Sequence, residues 1–143
     1  DMCWAEYMAG LAFSNAGLGL VHAMAHQLGG FYNMPHGVAN AVLLPYVMEY
    51  NSSECKERYA AIAAALGVDT VNLTCDQASE KAIQFIKELS SDIGIPSLKS
   101  LGFRPEDTIT LSLNATNDTC ISDNPKEASV TDIKSIFLNA YNS

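Results

Sequence analysis

The sequence predicts an all-α fold, and three observations carry that prediction. Apolar residues recur at three- and four-residue spacing along most of the chain. Capping and stopping residues stand between the periodic stretches, and no stretch alternates apolar and polar residues as a half-buried strand would. At 143 residues and 15.4 kDa, residues 1–143 are expected to form a single helical domain that buries roughly two thirds of its unfolded surface.

The spacing places helices near 2–13, 17–29, 36–50, 53–66, 75–93, 105–117 and 130–141. The first has no lead-in, because Asp1-Met2-Cys3-Trp4 runs straight into apolar residues at helical spacing. The chain is therefore expected to be a fragment, cut just before or within a helix. The second carries two histidines and is expected to end at the Gly29-Gly30 break. Further along, Tyr59, Ile62, Ala63 and Leu66 share a face, and Gly67 stands where that helix would stop. Thr74 to Gln77 fits a capping box ahead of the stripe Ala82, Phe85, Ile86, Leu89 and Ile93, which Gly94 closes. Pro105 can open a helix at its first position, and Ile133, Ile136, Phe137, Ala140 and Tyr141 form the last stripe. These stripes read as core. The chain shows no repeat, low-complexity tract or linker.

Charge and cysteine usage narrow the function classes. The formal net charge of -8, with eight Lys and Arg scattered along the chain, argues against nucleic acid, whose phosphates need a basic patch. No apolar run reaches the roughly 18 to 20 residues that span a bilayer, so no membrane partner is expected. Cys3, Cys55, Cys75 and Cys120 are far apart and form no Cys-x-x-Cys pair, so buried free thiols are expected. Glycosylation-type triplets begin at Asn51, Asn72, Asn114 and Asn117, but a chain of this size needs no disulfides, and a cytoplasmic setting fits better.

Chemistry is concentrated in one stretch, Gly19 to Gly37, which holds all three histidines, His22, His26 and His36. His22 and His26 are four apart, so on a helix they project from one face on successive turns, and His36 follows in the next segment. Imidazoles at that spacing can chelate one ion, zinc or nickel included. A metalloprotease pair would have Glu after the first histidine. Here that residue is Ala23, and Ala23, Met24 and Ala25 supply no general acid or base. By spacing alone the histidines are either metal ligands or packing residues in an apolar helix.

The run from Phe13 to Pro45, with Gly19-Leu20-Val21-His22, His26-Gln27-Leu28-Gly29-Gly30 and Pro35-His36-Gly37, resembles the C-terminal signature of the iron-containing, or group III, alcohol dehydrogenases. The resemblance is strongest to their propanediol dehydrogenase and lactaldehyde reductase branch. Weaker likeness continues through Tyr59 to Gly67, Asp92 to Pro96, Asp118-Thr119-Cys120 and Asn124-Pro125-Lys126. It implies a multi-helix C-terminal domain like that of dehydroquinate synthase-like enzymes, and reversible hydride transfer between NAD or NADP and a small alcohol, diol or aldehyde. It also implies that His22 and His36 are two of four ligands to iron(II), sometimes zinc, and that His26 is a catalytic and cofactor-facing residue beside the nicotinamide.

The same resemblance implies what this chain does not carry. The other two ligands, an Asp and a His four residues later, and an N-terminal α/β domain with the loop for the cofactor pyrophosphate, would lie upstream. Gly17-Leu18-Gly19 and Gly29-Gly30 follow no strand and make poor phosphate cradles. Tyr46 departs from the family, which often has His after Leu-Pro. The intact enzyme is expected to be a homo-oligomer, and this chain alone is expected to be inactive. The alternative is a non-catalytic helical module whose histidines pack or bind metal incidentally.

Overall fold

The computed structural model describes residues 1–142. It is all-helical, with no strand among the described residues. Six α-helices run in order: α1 Met2–Ala16, α2 Leu20–Tyr32, α3 His36–Ala65, α4 Cys75–Asp92, α5 Thr108–Thr116 and α6 Val130–Tyr141. Short 3-10 turns at Pro105–Asp107 and Thr119–Asp123 flank α5. No single helix among the described residues is long and apolar enough to cross a membrane.

The main core lies where α2, α3, α5 and α6 meet. Leu20, Met24 and Leu28 of α2 pack with Leu43 and Val47 of α3, Leu111 and Ala115 of α5, and Ile133, Ile136 and Phe137 of α6. Leu98 and Phe103, from the segment between α4 and α5, complete it. The last stripe read from the sequence is thus buried, apart from Tyr141 at its half-buried edge. α4 lies along α3 and buries Ala78, Ser79, Ala82 and Ile83. This corrects the expected α4 stripe, of which only Ala82 is buried; Leu89 is 42% and Ile93 65% exposed. The face against α3 is made mostly of small residues, Ala78, Ser79 and Ala82, with Ile83 beside them, whereas the predicted stripe weighted large side chains.

Several boundaries also differ. The segments expected at 36–50 and 53–66 are one helix, α3, and Pro45 sits inside it. Asn51 and Ser52, which read as a break, do not spend their polarity on a cap. Ser52 Oγ donates to Glu49 O at 2.8 Å. Asn51 is buried and exchanges amide hydrogen bonds with Asn124, both at 2.9 Å. The Gly29-Gly30 pair does not end α2, which continues to Tyr32 and stops at Asn33, in the left-handed region at φ 51°. The 105–117 helix divides into a 3-10 turn and α5. Of the thiols expected to be buried, only Cys55 is; Cys120 is half-buried, while Cys3 and Cys75 are exposed.

Two ties fix the start of α2 and hence its histidines. Gly19 N–H donates to Cys120 O at 3.0 Å, and Leu20 N–H to Asn124 Oδ1 at 3.2 Å. α1 stops at Gly17, whose φ of +78° favours glycine, and the chain turns by 109° into α2; an added Cβ there would also overlap the Asp123 carboxylate. Because Asn124 also satisfies the buried Asn51 amide, Asn124→Ala should destabilise the chain by about 1–3 kcal/mol. Urea unfolding checks this, and unchanged stability would refute the tie. The capping box at Thr74 and Gln77 is formed in full, with both reciprocal bonds present. Thr74→Ala should therefore cost about 1 kcal/mol in the same measurement.

α1 stands apart from this core. None of its residues is buried, and Met2, Trp4, Tyr7, Met8 and Leu11 are all more than half exposed.

Candidate metal and catalytic site

The three histidines converge. His22 and His26 come from successive turns of α2, and His36 from the first turn of α3, which Asn33 in its left-handed conformation brings back across α2. The ring centroids of His22 and His36 are 5.3 Å apart, those of His26 and His36 5.5 Å, and those of His22 and His26 6.0 Å. Residues fourteen apart at most in sequence thus form one imidazole cluster at the edge of the α2–α3 pair.

Each ring has a different setting. His22 borders an apolar groove with Leu18, Val21, Ala41 and Leu44. Burial there, then the neighbouring His36 and His26 rings, lower its pKa, against an opposing pull from Asp118. A neutral imidazole with an open lone pair is the ligating form. His36 is exposed, and Asn40 lies one turn on, its Nδ2 donating to His36 O at 2.9 Å and lying 3.2 Å from the ring Nε2. Asn40 Oδ1 is buried without a hydrogen-bond partner. His26 reaches across the chain instead, its Nδ1 lying 2.9 Å from Asp118 Oδ2. Its ring is 39% exposed.

Asp118 was not singled out by sequence reasoning as a site residue. Burial acts to raise its pKa, but hydrogen bonds from Cys120 and from His26 outweigh burial and lower it. It is thus a carboxylate, and a carboxylate at Nδ1 makes that nitrogen the donor and leaves Nε2 as the acceptor. The only available signal was the short Asp118-Thr119-Cys120 likeness, since 92 residues separate Asp118 from its partner.

The donor set suits a borderline transition metal. The converging imidazoles match ions such as iron(II) and zinc, which take nitrogen ligands. His22 and His36 alone fall short of the three or more protein ligands usual in a catalytic site.

Residues 1–141 match the model of the Fe-containing alcohol dehydrogenase family, C-terminal part. The chain belongs to this family. It is 45% identical over 142 residues to the lactaldehyde reductase of Escherichia coli K12, covering 99% of this chain and 37% of that protein. With the 1,3-propanediol dehydrogenase of Klebsiella pneumoniae it shares 47% identity over the same 99% and 37%. The crystal structure of a 1,3-propanediol oxidoreductase superimposes with a TM-score of 0.97 at 48% identity, over 98% of this chain and 37% of that one. The chain therefore spans little more than a third of the length of these family members and corresponds to their helical C-terminal part. Both the family and the branch read from Phe13 to Pro45 agree with these findings.

Proposed function

We propose that this chain is the metal-binding part of an NAD(P)-dependent alcohol dehydrogenase that interconverts a small alcohol or diol and its aldehyde. The observation that carries the proposal is the convergence of His22, His26 and His36 in a chain matched along residues 1–141 to the iron-containing family. An upstream α/β segment would supply the remaining ligands and the cofactor loop. The 37% coverage of the relatives supports that division.

In this reading His22 and His36 hold iron(II), or zinc, through neutral imidazoles. The bound ion supplies Lewis-acid polarisation of the substrate oxygen. The apolar wall of Leu18, Val21, Ala41 and Leu44 partly buries His22, which lowers its pKa and favours the neutral ring. Asn40 restrains the turn that presents His36. His26 faces the nicotinamide and substrate with its Nδ1 proton committed to Asp118, which fixes the ring and leaves Nε2 free to accept a proton from the alcohol. A reducing, cytoplasmic setting belongs to the same reading, supported by free thiols at Cys55 and Cys120. So does self-association of the intact enzyme, carried by the family resemblance.

The test is metal content measured beside turnover for His22→Ala, His36→Ala and His26→Ala in the enzyme with its upstream segment. The first two should be metal-poor. His26→Ala should keep its metal and lose rate. Equal metal loss in all three would show that His26 is a ligand and overturn the division of roles.

A further inference from the structure

We propose that His26, Asp118 and Cys120 form a second cation site, adjoining the His22 and His36 pair through the His26 ring and suited to a thiophilic divalent metal such as zinc, cobalt or cadmium. One ligand atom from each residue lies within 4.8 Å of the other two, and none of the three is on the same turn as another except through the Asp118-Thr119-Cys120 bend. An imidazole nitrogen, a carboxylate oxygen and a thiolate sulfur are a ligand set that zinc takes readily, with water completing a tetrahedron.

The arrangement is held in place before any cation arrives. Asp118 caps the 3-10 turn, its Oδ1 accepting from Cys120 N–H at 2.9 Å, which aims Oδ2 at His26 Nδ1, also at 2.9 Å. Cys120 O accepts from Gly19 N–H, and Asn124 Oδ1 from Leu20 N–H, so the turn that carries two ligands is tied at two points to the helix that carries the third. Preorganised ligands with fixed outer contacts raise metal affinity. Binding is balanced by loss of the Cys120 thiol proton to water and by transfer of the imidazole proton from Nδ1 to Nε2, which frees the Nδ1 lone pair. The sulfur distinguishes this site from the imidazole pair. If His26 has the nicotinamide-facing role proposed above, a cation here withdraws it from that role; the binding itself does not depend on that reading.

The probe is cobalt(II), titrated into the chain carrying Cys3→Ser and Cys75→Ser to remove the exposed thiols. A thiolate-to-cobalt charge-transfer band is expected in the near ultraviolet. Cys120→Ser should abolish the band and weaken uptake at least ~10-fold, and Asp118→Asn should weaken uptake ~10-fold or more while the band survives. The band should persist in His22→Ala and His36→Ala, so failure here is distinct from failure of the dehydrogenase reading. Cobalt should also protect Cys120 from iodoacetamide, read by peptide mass without a variant at that position. No band in the parent, a band that survives Cys120→Ser, or alkylation of Cys120 unchanged by cobalt would each overturn the proposal.

Discussion

His22→Ala and His36→Ala should each leave the full-length enzyme depleted of metal and nearly inactive. Loss of an outer contact to a ligand already costs ~10 to 100-fold in metal affinity, and loss of the ligand itself should cost at least that much. Polarisation of a substrate oxygen by a bound ion is worth several kcal/mol, and each ~1.4 kcal/mol is a factor of ten, so turnover should fall by ~10³-fold or more. The two variants should fall together, because their rings lie 5.3 Å apart and neither imidazole alone can chelate. His26→Ala separates metal binding from proton handling: a positioned acid or base contributes ~10² to 10⁴-fold, and none of that loss should be restored by added iron. Full metal and full rate in His22→Ala or His36→Ala would return the histidines to a packing role.

Phe137→Ala should produce the largest loss of stability, about 3–5 kcal/mol in urea unfolding. Phe137 is fully buried and stacks on Phe103 at 5.5 Å with the rings 19° from parallel. Phe103 in turn meets Tyr32 at the end of α2 and Tyr141 at the end of α6, with centroids 5.7 and 6.1 Å away. Tyr32 is itself anchored, its hydroxyl donating to Asp107 at 2.5 Å and accepting from Arg104 N–H at 3.2 Å. Truncating Phe137 leaves a cavity bordered by α2, α6 and the segment before α5, none of which can collapse into it without moving the others. Met8→Ala on α1, 65% exposed, is the control and should change stability by less than ~0.5 kcal/mol. A Phe137→Ala loss no larger than that control would show that the α2–α6 core contributes little.

Local periodicity made Ile133, Ile136 and Phe137 legible as core, and the spacing of Thr74 and Gln77 made their capping box legible. The box at Ser129 and Asp132 is just as complete in the structure, but its third position is Asp where the usual pattern has Glu or Gln. Asn51 and Ser52 misled because short polar side chains favour turns unless tertiary partners engage them, and the partner of Asn51 is 73 residues away. The histidine cluster was visible because its members are close in sequence. Asp118 was not, since the pairing that brings it to His26 depends on the fold of the whole second half of the chain.

Trp4 is the single tryptophan of the chain, and it lies on α1 with 69% of its surface exposed. Tyr7 meets it edge-on at 5.9 Å, and no core residue does. Its fluorescence therefore reports the environment of α1 and is nearly blind to the helices that carry the histidines. Emission in the isolated chain should resemble that of a hydrated indole both before and after urea unfolding, so a flat fluorescence trace beside a cooperative far-ultraviolet transition is the expected signature. Any surface that comes to cover α1 should instead move the emission to shorter wavelength, which makes the same residue a built-in optical gauge of contact on that helix.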